Sequence, residues 1–85
     1  MKFKVKSIPA MTFSHPAEVV IVRKRQNSDT VLAMFNRVTG ISVPTQVEKG
    51  HYAISFVIEF LPIDVVSIFE LKANDEVDIR IFVPC

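Results

Sequence analysis

Residues 51–61 alternate between two sets of side chains, and this period of two limits the possible folds more than any other feature of the sequence. One face of the segment would hold Tyr52, Ile54, Phe56, Ile58 and Phe60, and the other His51, Ala53, Ser55, Val57 and Glu59. Alternate residues of a β-strand point to opposite sides, so the pattern predicts a strand over His51–Leu61. At about 3.4 Å per residue, such a strand is long enough to require a bend or a bulge.

Three other segments have strand patterns. Lys2–Ser7 alternates lysine with apolar residues, which predicts that Phe3 and Val5 face a core while the lysines protect a sheet edge. Glu18–Arg25 contains four consecutive β-branched residues and predicts a central strand whose basic end leaves the core. Glu76–Val83 is predicted to be the last strand, with its apolar residues pointing inward: Val77, Ile79, Ile81 and Val83.

Two segments fit either a helix or a strand. For Thr30–Val38, a helix would place Asp29 at its N-cap, whereas a strand would form a hairpin with the preceding strand through the polar turn Gln26–Asp29. The short turn favours the hairpin. Pro62–Leu71 would begin well as a helix at its proline and equally well form a strand, so both alternatives stay open.

The connections complete the predicted fold. Pro9 and Pro16 predict a loop over Ile8–Ala17, because proline fixes φ and has no N–H to donate. Ile41–Gly50 is predicted to be mainly connection with a short edge piece at its start, Ile41–Val43, and Lys72–Asp75 is predicted to be a turn. The prediction is one mainly β domain over residues 1–85: a small barrel or sandwich of five or six short antiparallel strands, with room for one or two short helices (α+β).

Composition narrows the class of protein. Hydrophobic residues make up 49% of the chain and charged residues 22%, which excludes intrinsic disorder. A domain of this size buries only about 60–65% of its unfolded surface, so we expect part of the remaining apolar surface to be buried in a homo-oligomer. The most apolar window, Ile54–Leu71, contains Glu59, Asp64 and Glu70, and it is not predicted to span a membrane because buried charges there are costly.

The sequence predicts no catalytic or metal site. His15, His51 and Cys85 have no partners at metal-ligand spacing, so we expect no metal and no other cofactor. Ser14 beside His15 is not a catalytic triad, and two glycines cannot build a phosphate-binding loop, so no enzyme activity and no small-molecule substrate are predicted. A single cysteine cannot form an intrachain disulfide, which favours a reducing, cytoplasmic location.

Charge is distributed unevenly along the chain. Residues 1–40 hold seven basic and two acidic residues, whereas residues 41–85 hold three basic and seven acidic ones, and the formal net charge is +1. In the preferred interpretation, the two halves complement each other within one fold or between subunits. In the alternative, a basic face follows the phosphates of single-stranded nucleic acid, as in small OB-type barrels. The residues of that face are Lys2, Lys4, Lys6, Arg23, Lys24 and Arg25.

One segment has a local resemblance to a known family. Within Ser67–Ile81, the pair Leu71-Lys72 precedes Asp-Glu-Val and an alternating apolar stretch. This resembles the second half of the swapped-hairpin (AbrB-like) DNA-binding fold, and the resemblance implies an intertwined dimer that binds operator DNA. It covers under a fifth of the chain, and Asn74 stands where the family's turn usually has a glycine.

The sequence as a whole predicts a non-enzymatic protein-interaction or assembly module of the accessory or inhibitor-like kind that phages encode. We expect a protein partner, most simply a second copy of the chain, and we expect contact through the same six basic residues. The alternative is a small β-barrel protein that binds single-stranded nucleic acid or DNA through that basic N-terminal face.

Overall fold

The computed structural model describes residues 1–25 and 30–83, which form one curled antiparallel sheet with the shape of a half-barrel. Its strands are β1 (Lys2–Lys4), β2 (Met11–Arg25), β3 (Thr30–Ile41), β4 (Thr45–Glu48), β5 (His51–Ile58), β6 (Val65–Glu70) and β7 (Glu76–Phe82). A 3₁₀ turn, Val5–Ser7, follows β1, so the strand pattern over Lys2–Ser7 forms a strand only as far as Lys4. The predicted antiparallel, mainly β fold is confirmed, with more strands than expected. Within the described ranges there is no α-helix, and no helix has the length and apolar character needed to cross a membrane.

The long hairpin of β2 and β3 forms the centre of the sheet. Its strands pair antiparallel from Lys24–Thr30 to Met11–Ile41, so the strand prediction for Thr30–Val38 is confirmed, while the predicted turn 26–29 lies outside the described residues. The loop predicted over Ile8–Ala17 is wrong from Met11 onward. The β2–β3 register skips residues 13–16, and this bulge accommodates Pro16, which has no N–H for the ladder.

The strand order places β1 and β6 at opposite edges of the sheet. The order runs β1-β7-β2-β3-β5, and β5 also pairs with β4 and β6. β3 pairs with residues 56–58 of β5 and β4 with residues 51–53, so these two strands lie end to end along one edge of β5. β6 pairs with residues 51–56 and therefore occupies the other edge.

Two connections differ from the predictions. The extended edge piece was expected at Ile41–Val43, but β3 ends at Ile41 and the short edge strand is Thr45–Glu48. The alternative left open for Pro62–Leu71 resolves to a strand, because Val65–Glu70 alternates toward the core. The predicted turn at Lys72–Asp75 is confirmed: the Asp75 carboxylate accepts a hydrogen bond from the Lys72 N–H at 2.8 Å.

The core lies on the inner face of the curled sheet. Tyr52, Ile54 and Phe56 are buried as the alternation predicts, and the ring centroids of Phe35 and Phe56 are 4.5 Å apart. The inward predictions fail at two strand ends. Phe60 is 93% exposed because β5 ends at Ile58, and Val83 is 68% exposed because it follows the end of β7.

Candidate functional site

The three lysines of the N-terminal segment are exposed at one edge of the sheet. Lys2 lies opposite Asp78 and Lys4 opposite Glu76 in the β1–β7 register, so both lysines point to the outer face. Lys6 is exposed on the following 3₁₀ turn. β1 is the terminal strand of the order, so Lys2 and Lys4 lie at a sheet edge, as the predicted protection of an edge requires.

Of the described basic side chains of β2, Arg23 lies on the same outer face as Lys2 and Lys4, across β7, whereas Lys24 points to the inner face. Arg23 and Lys24 are half-buried and point to opposite faces of the sheet. Lys24 Nζ lies 3.6 Å from Asp75 Oδ2, and Arg23 lies opposite Asp78 in the β2–β7 register. The side chain of Arg25 is outside the described part of the structure. The acidic residues of β7 thus lie between the basic residues of β1 and β2, which agrees with charge compensation within the fold.

Asp78 is the buried centre of this charge pattern, and the sequence analysis missed it. It is 6% exposed and accepts hydrogen bonds from the N-terminal ammonium of Met1 at 3.1 Å and from Arg80 Nε at 3.3 Å. Burial acts to raise the pKa of Asp78, but the two hydrogen bonds and positive charges outweigh it and hold the pKa below its ordinary value. The alternation placed Asp78 on a solvent face, and only the neighbouring strands β1 and β2 bury it.

A groove of about 610 Å³ runs beside the bulge in β2. It is lined by residues 12–16 together with Arg37 and Val83, so it contains both Ser14 and His15. Arg37 is already engaged by Glu59 and Glu18. Over residues 1–25 and 30–83, no three His, Cys, Asp or Glu side chains lie close enough together to hold a metal ion.

In the hairpin of β5 and β6, five large apolar side chains within residues 60–68 are exposed, and we call this group the apolar end. Phe60 is 93% exposed, Ile63 77% and Ile68 62%. Single exposed apolar residues are ordinary on protein surfaces, whereas a contiguous group of them marks an interaction site. The apolar end consists of Phe60, Leu61, Ile63, Val66 and Ile68.

The base of the loop that carries Phe60 is braced. Arg37 Nε donates to Glu59 Oε1 at 3.1 Å, Arg37 Nη2 donates to the same oxygen, and the Glu59 N–H donates to the Arg37 carbonyl at 2.9 Å. The hydrogen bonds to Glu59, followed by its negative charge, raise the pKa of Arg37 above its ordinary value. Arg37 and Phe60 both have positive φ angles, 60° and 69°, a conformation that costs non-glycine residues free energy. The hydrogen bonds to Arg37 therefore anchor Glu59, the residue that precedes the exposed Phe60.

Within the described residues β6 pairs only with β5, so its other backbone edge, next to the apolar end, is open. The Leu71 N–H donates to the Gly50 carbonyl at 2.9 Å, which makes residues 71 and 50 a hydrogen-bonded pair in line with the β5–β6 register. Hydrogen-bonded pairs recur at every second residue, so residues 65, 67 and 69 direct their backbone groups toward β5. Val66, Ile68 and Glu70 direct theirs away from it, toward the open edge.

A small cleft lies at the other end of β6. Its volume is about 340 Å³, and its lining is mainly apolar, with Tyr52, Leu71 and Ala73 among the lining residues. Lys49 and Lys72 stand at the same cleft. The apolar end and this cleft therefore lie at opposite ends of one edge strand.

Comparison of the chain with protein-family models, with curated proteins and with solved structures finds no match. The local resemblance of Ser67–Ile81 to the swapped-hairpin fold is limited in the structure as well. Lys72–Asp75 is a turn and a strand follows it, but the strands on either side do not pair with each other, because β6 pairs with β5 and β7 with β1 and β2.

The sequence pattern did not reveal the apolar end, because a strand that runs to Leu61 places Phe60 on the same face as Phe56. The available signal was Pro62 with the polar residues around it, Glu59 and Asp64, which together indicate the end of a strand and a turn. Ending the strand before Glu59 would have left Phe60, Leu61 and Ile63 without a predicted core position.

Proposed function

We propose that the chain is a non-enzymatic protein-interaction or assembly module that contacts a protein partner through the apolar end. The exposed apolar side chains of one braced hairpin carry this proposal. Burying a side chain such as Phe60 or Ile63 contributes roughly 1.5–3 kcal/mol, and holding it in place beforehand lowers the entropy lost on binding. A standard interface of about 800 Å² per partner would take roughly a seventh of the 5476 Å² surface.

Site-specific photo-crosslinking tests the proposal. A photoreactive phenylalanine analogue replaces Phe60, and a matched control carries the same analogue at Met34, which is 62% exposed on the outer face of β3. We expect protein adducts from position 60, in cells or with the purified chain, and few from position 34. An absence of adducts at position 60 in both settings would contradict the proposal, and equal labelling at both positions would show unspecific contact.

Nucleic-acid binding is the second candidate, and the joint exposure of Lys2, Lys4 and Lys6 supports it. Fluorescence anisotropy with labelled single- and double-stranded oligonucleotides tests it at about 50 and 200 mM salt. Binding that weakens steeply with salt and is lost when the three lysines become alanine would support this candidate. No binding at the lower salt concentration would remove it.

We also propose a cytoplasmic, reducing location. Cys85 is the only cysteine, so the fold does not depend on a disulfide within the chain. Fractionation of cells that express the tagged chain tests this location, and recovery outside the cytoplasm would contradict it.

A further inference from the structure

We infer that the partner of the apolar end is a second copy of this chain, and that the two copies pair antiparallel through β6 about a two-fold axis at Ile68. The inference rests on the proposed function and adds the identity of the partner and the register of the contact. It follows from the open backbone edge of β6, from the charges that flank this strand, and from the cleft at its far end.

The open edge of β6 can pair with another strand. Val66, Ile68 and Glu70 direct backbone N–H and C=O groups outward, and an added strand satisfies such groups in a regular ladder. Two of the other edges, at β1 and β4, are protected against this pairing. β1 carries Lys2 and Lys4, and β4 has only four residues, follows Pro44 and has an irregular register with β5. β6 has six residues and neither lysine nor proline.

The spacing of the outward groups limits the register. In a symmetric antiparallel pair, a residue with outward backbone groups must face another such residue, and an axis at Ile68 pairs Val66, Ile68 and Glu70 among themselves. Ile68 then lies opposite Ile68 of the partner subunit, and Val66 opposite Glu70 of the partner subunit. Each such pair exchanges two hydrogen bonds. On the outer face, the exposed side chain of Ile68 meets Ile68 of the partner subunit, and the exposed side chain of Val66 meets Glu70 of the partner subunit.

The residues that flank β6 support the same register by their charge. An axis at Ile68 places Asp64 opposite Lys72 of the partner subunit, because both lie four residues from the axis. Both side chains are exposed, so each is available for an ion pair across the interface. A shift of the axis to Val66 would instead place Asp64 opposite an isoleucine.

The cleft gives the partner's apolar loop a place to pack. One step beyond Asp64, the register brings Ile63 alongside Ala73 of the partner subunit. Ala73 lines the apolar cleft of about 340 Å³, together with Leu71 and Tyr52. The contact is reciprocal, so each copy supplies one loop and one cleft, as an isologous two-fold interface requires.

Charge reversal tests the register. Asp64→Lys and Lys72→Asp should each raise the dimer dissociation constant on the order of tenfold, because the symmetric interface contains the pair twice, and the double variant should restore it. Sedimentation equilibrium over a range of concentrations measures this constant. Lys6→Asp, a reversal at the far edge of the sheet, serves as the matched control and should leave it unchanged. Failure of the double variant to recover would overturn the register.

Disulfide trapping tests the axis itself. In a Cys85→Ser background, Ile68→Cys places two thiols across the axis in a hydrogen-bonded pair, with Cα atoms about 5.5 Å apart, a separation that a disulfide spans. Val66→Cys is the control, because its counterpart would lie about 14 Å away. We expect covalent dimer from position 68 and little from position 66. The reverse result would overturn the axis at Ile68.

The two proposals fail in different ways. A dimer that crosslinks at neither position would overturn pairing through β6, while adducts from Phe60 would still support an interaction module. A chain that stays monomeric in sedimentation and yields only adducts with other proteins would overturn the second copy as partner and leave the proposed function standing. An absence of all adducts from position 60 would overturn both.

Discussion

Replacing Tyr52 by phenylalanine should stabilise the protein, which is the opposite of the usual effect of a substitution in the core. Tyr52 is 4% exposed, and within the described residues its buried hydroxyl has no hydrogen-bond partner. Burying such a group without a partner costs about 1–3 kcal/mol, and Tyr52→Phe removes the oxygen while keeping the ring. The ring still packs beside Phe69, its cross-strand neighbour on β6.

We expect the free energy of unfolding of Tyr52→Phe to rise by about 1 kcal/mol, since the small void left by the oxygen offsets part of the gain. For a domain of this size, that corresponds to a rise of about 4–8 °C in Tm. Urea denaturation of both proteins at one concentration measures the change, because self-association makes stability depend on concentration. The slope of the free energy against urea should stay the same. A loss of 1 kcal/mol or more would show that the hydroxyl is hydrogen-bonded in solution and would refute the reasoning.

Three further predictions concern other parts of the fold. The lowered pKa of Asp78 stabilises the folded state above the unfolded-state pKa of about 3.9, and this contribution is lost as pH falls through the folded pKa. Asp78→Asn should therefore lower the free energy of unfolding by about 1–2 kcal/mol at neutral pH, and stability should then fall less steeply as the pH is lowered. An unchanged fall of stability at acid pH would contradict the role of Asp78. Phe60→Asn should leave the free energy of unfolding unchanged or raise it by up to about 1 kcal/mol, because asparagine tolerates positive φ. The same variant should self-associate more weakly in sedimentation, because it removes an exposed apolar side chain. A clear loss of stability would argue against backbone strain at this position. Phe56→Ala should lower the free energy of unfolding by about 3–5 kcal/mol in chemical denaturation, whereas Phe60→Ala, at an exposed position, should lower it by less than about 0.5 kcal/mol. Similar losses at both positions would contradict the end of β5 at Ile58.

The strand predictions succeeded where a single residue-level preference dominated. The run of β-branched residues in Glu18–Arg25 and the alternation from Tyr52 to Ile58 both became strands, because such side chains pack well on a pleated surface with one buried face. Prediction was weaker at strand ends. Pro16 predicted a loop, yet a bulge carries the chain past it, and this solution depends on the register with β3.

Most features of the candidate site could not be predicted from local sequence patterns. Among the described basic residues that were predicted as one surface, Arg23 is separated from Lys2 by Asp78, because β7 lies between β1 and β2, and Lys24 points to the other face of the sheet. The pairing of β7 with β1 and β2 brings the two ends of the chain together, and no pattern in the sequence indicates this pairing. The burial of Asp78 is a consequence of the same long-range pairing, whereas Phe60 is exposed because β5 ends at Ile58.

The sequence by itself determined an antiparallel, mainly β domain with an apolar inner face, because period-two patterns and turn residues act through local backbone geometry. Only the tertiary structure decided which strands meet, which edges stay open and which apolar side chains remain outside the core. Strand pairing joins residues far apart in the chain, and the stability of each pairing depends on all the others. The open edge of β6 and the braced loop at Phe60 come from that global arrangement.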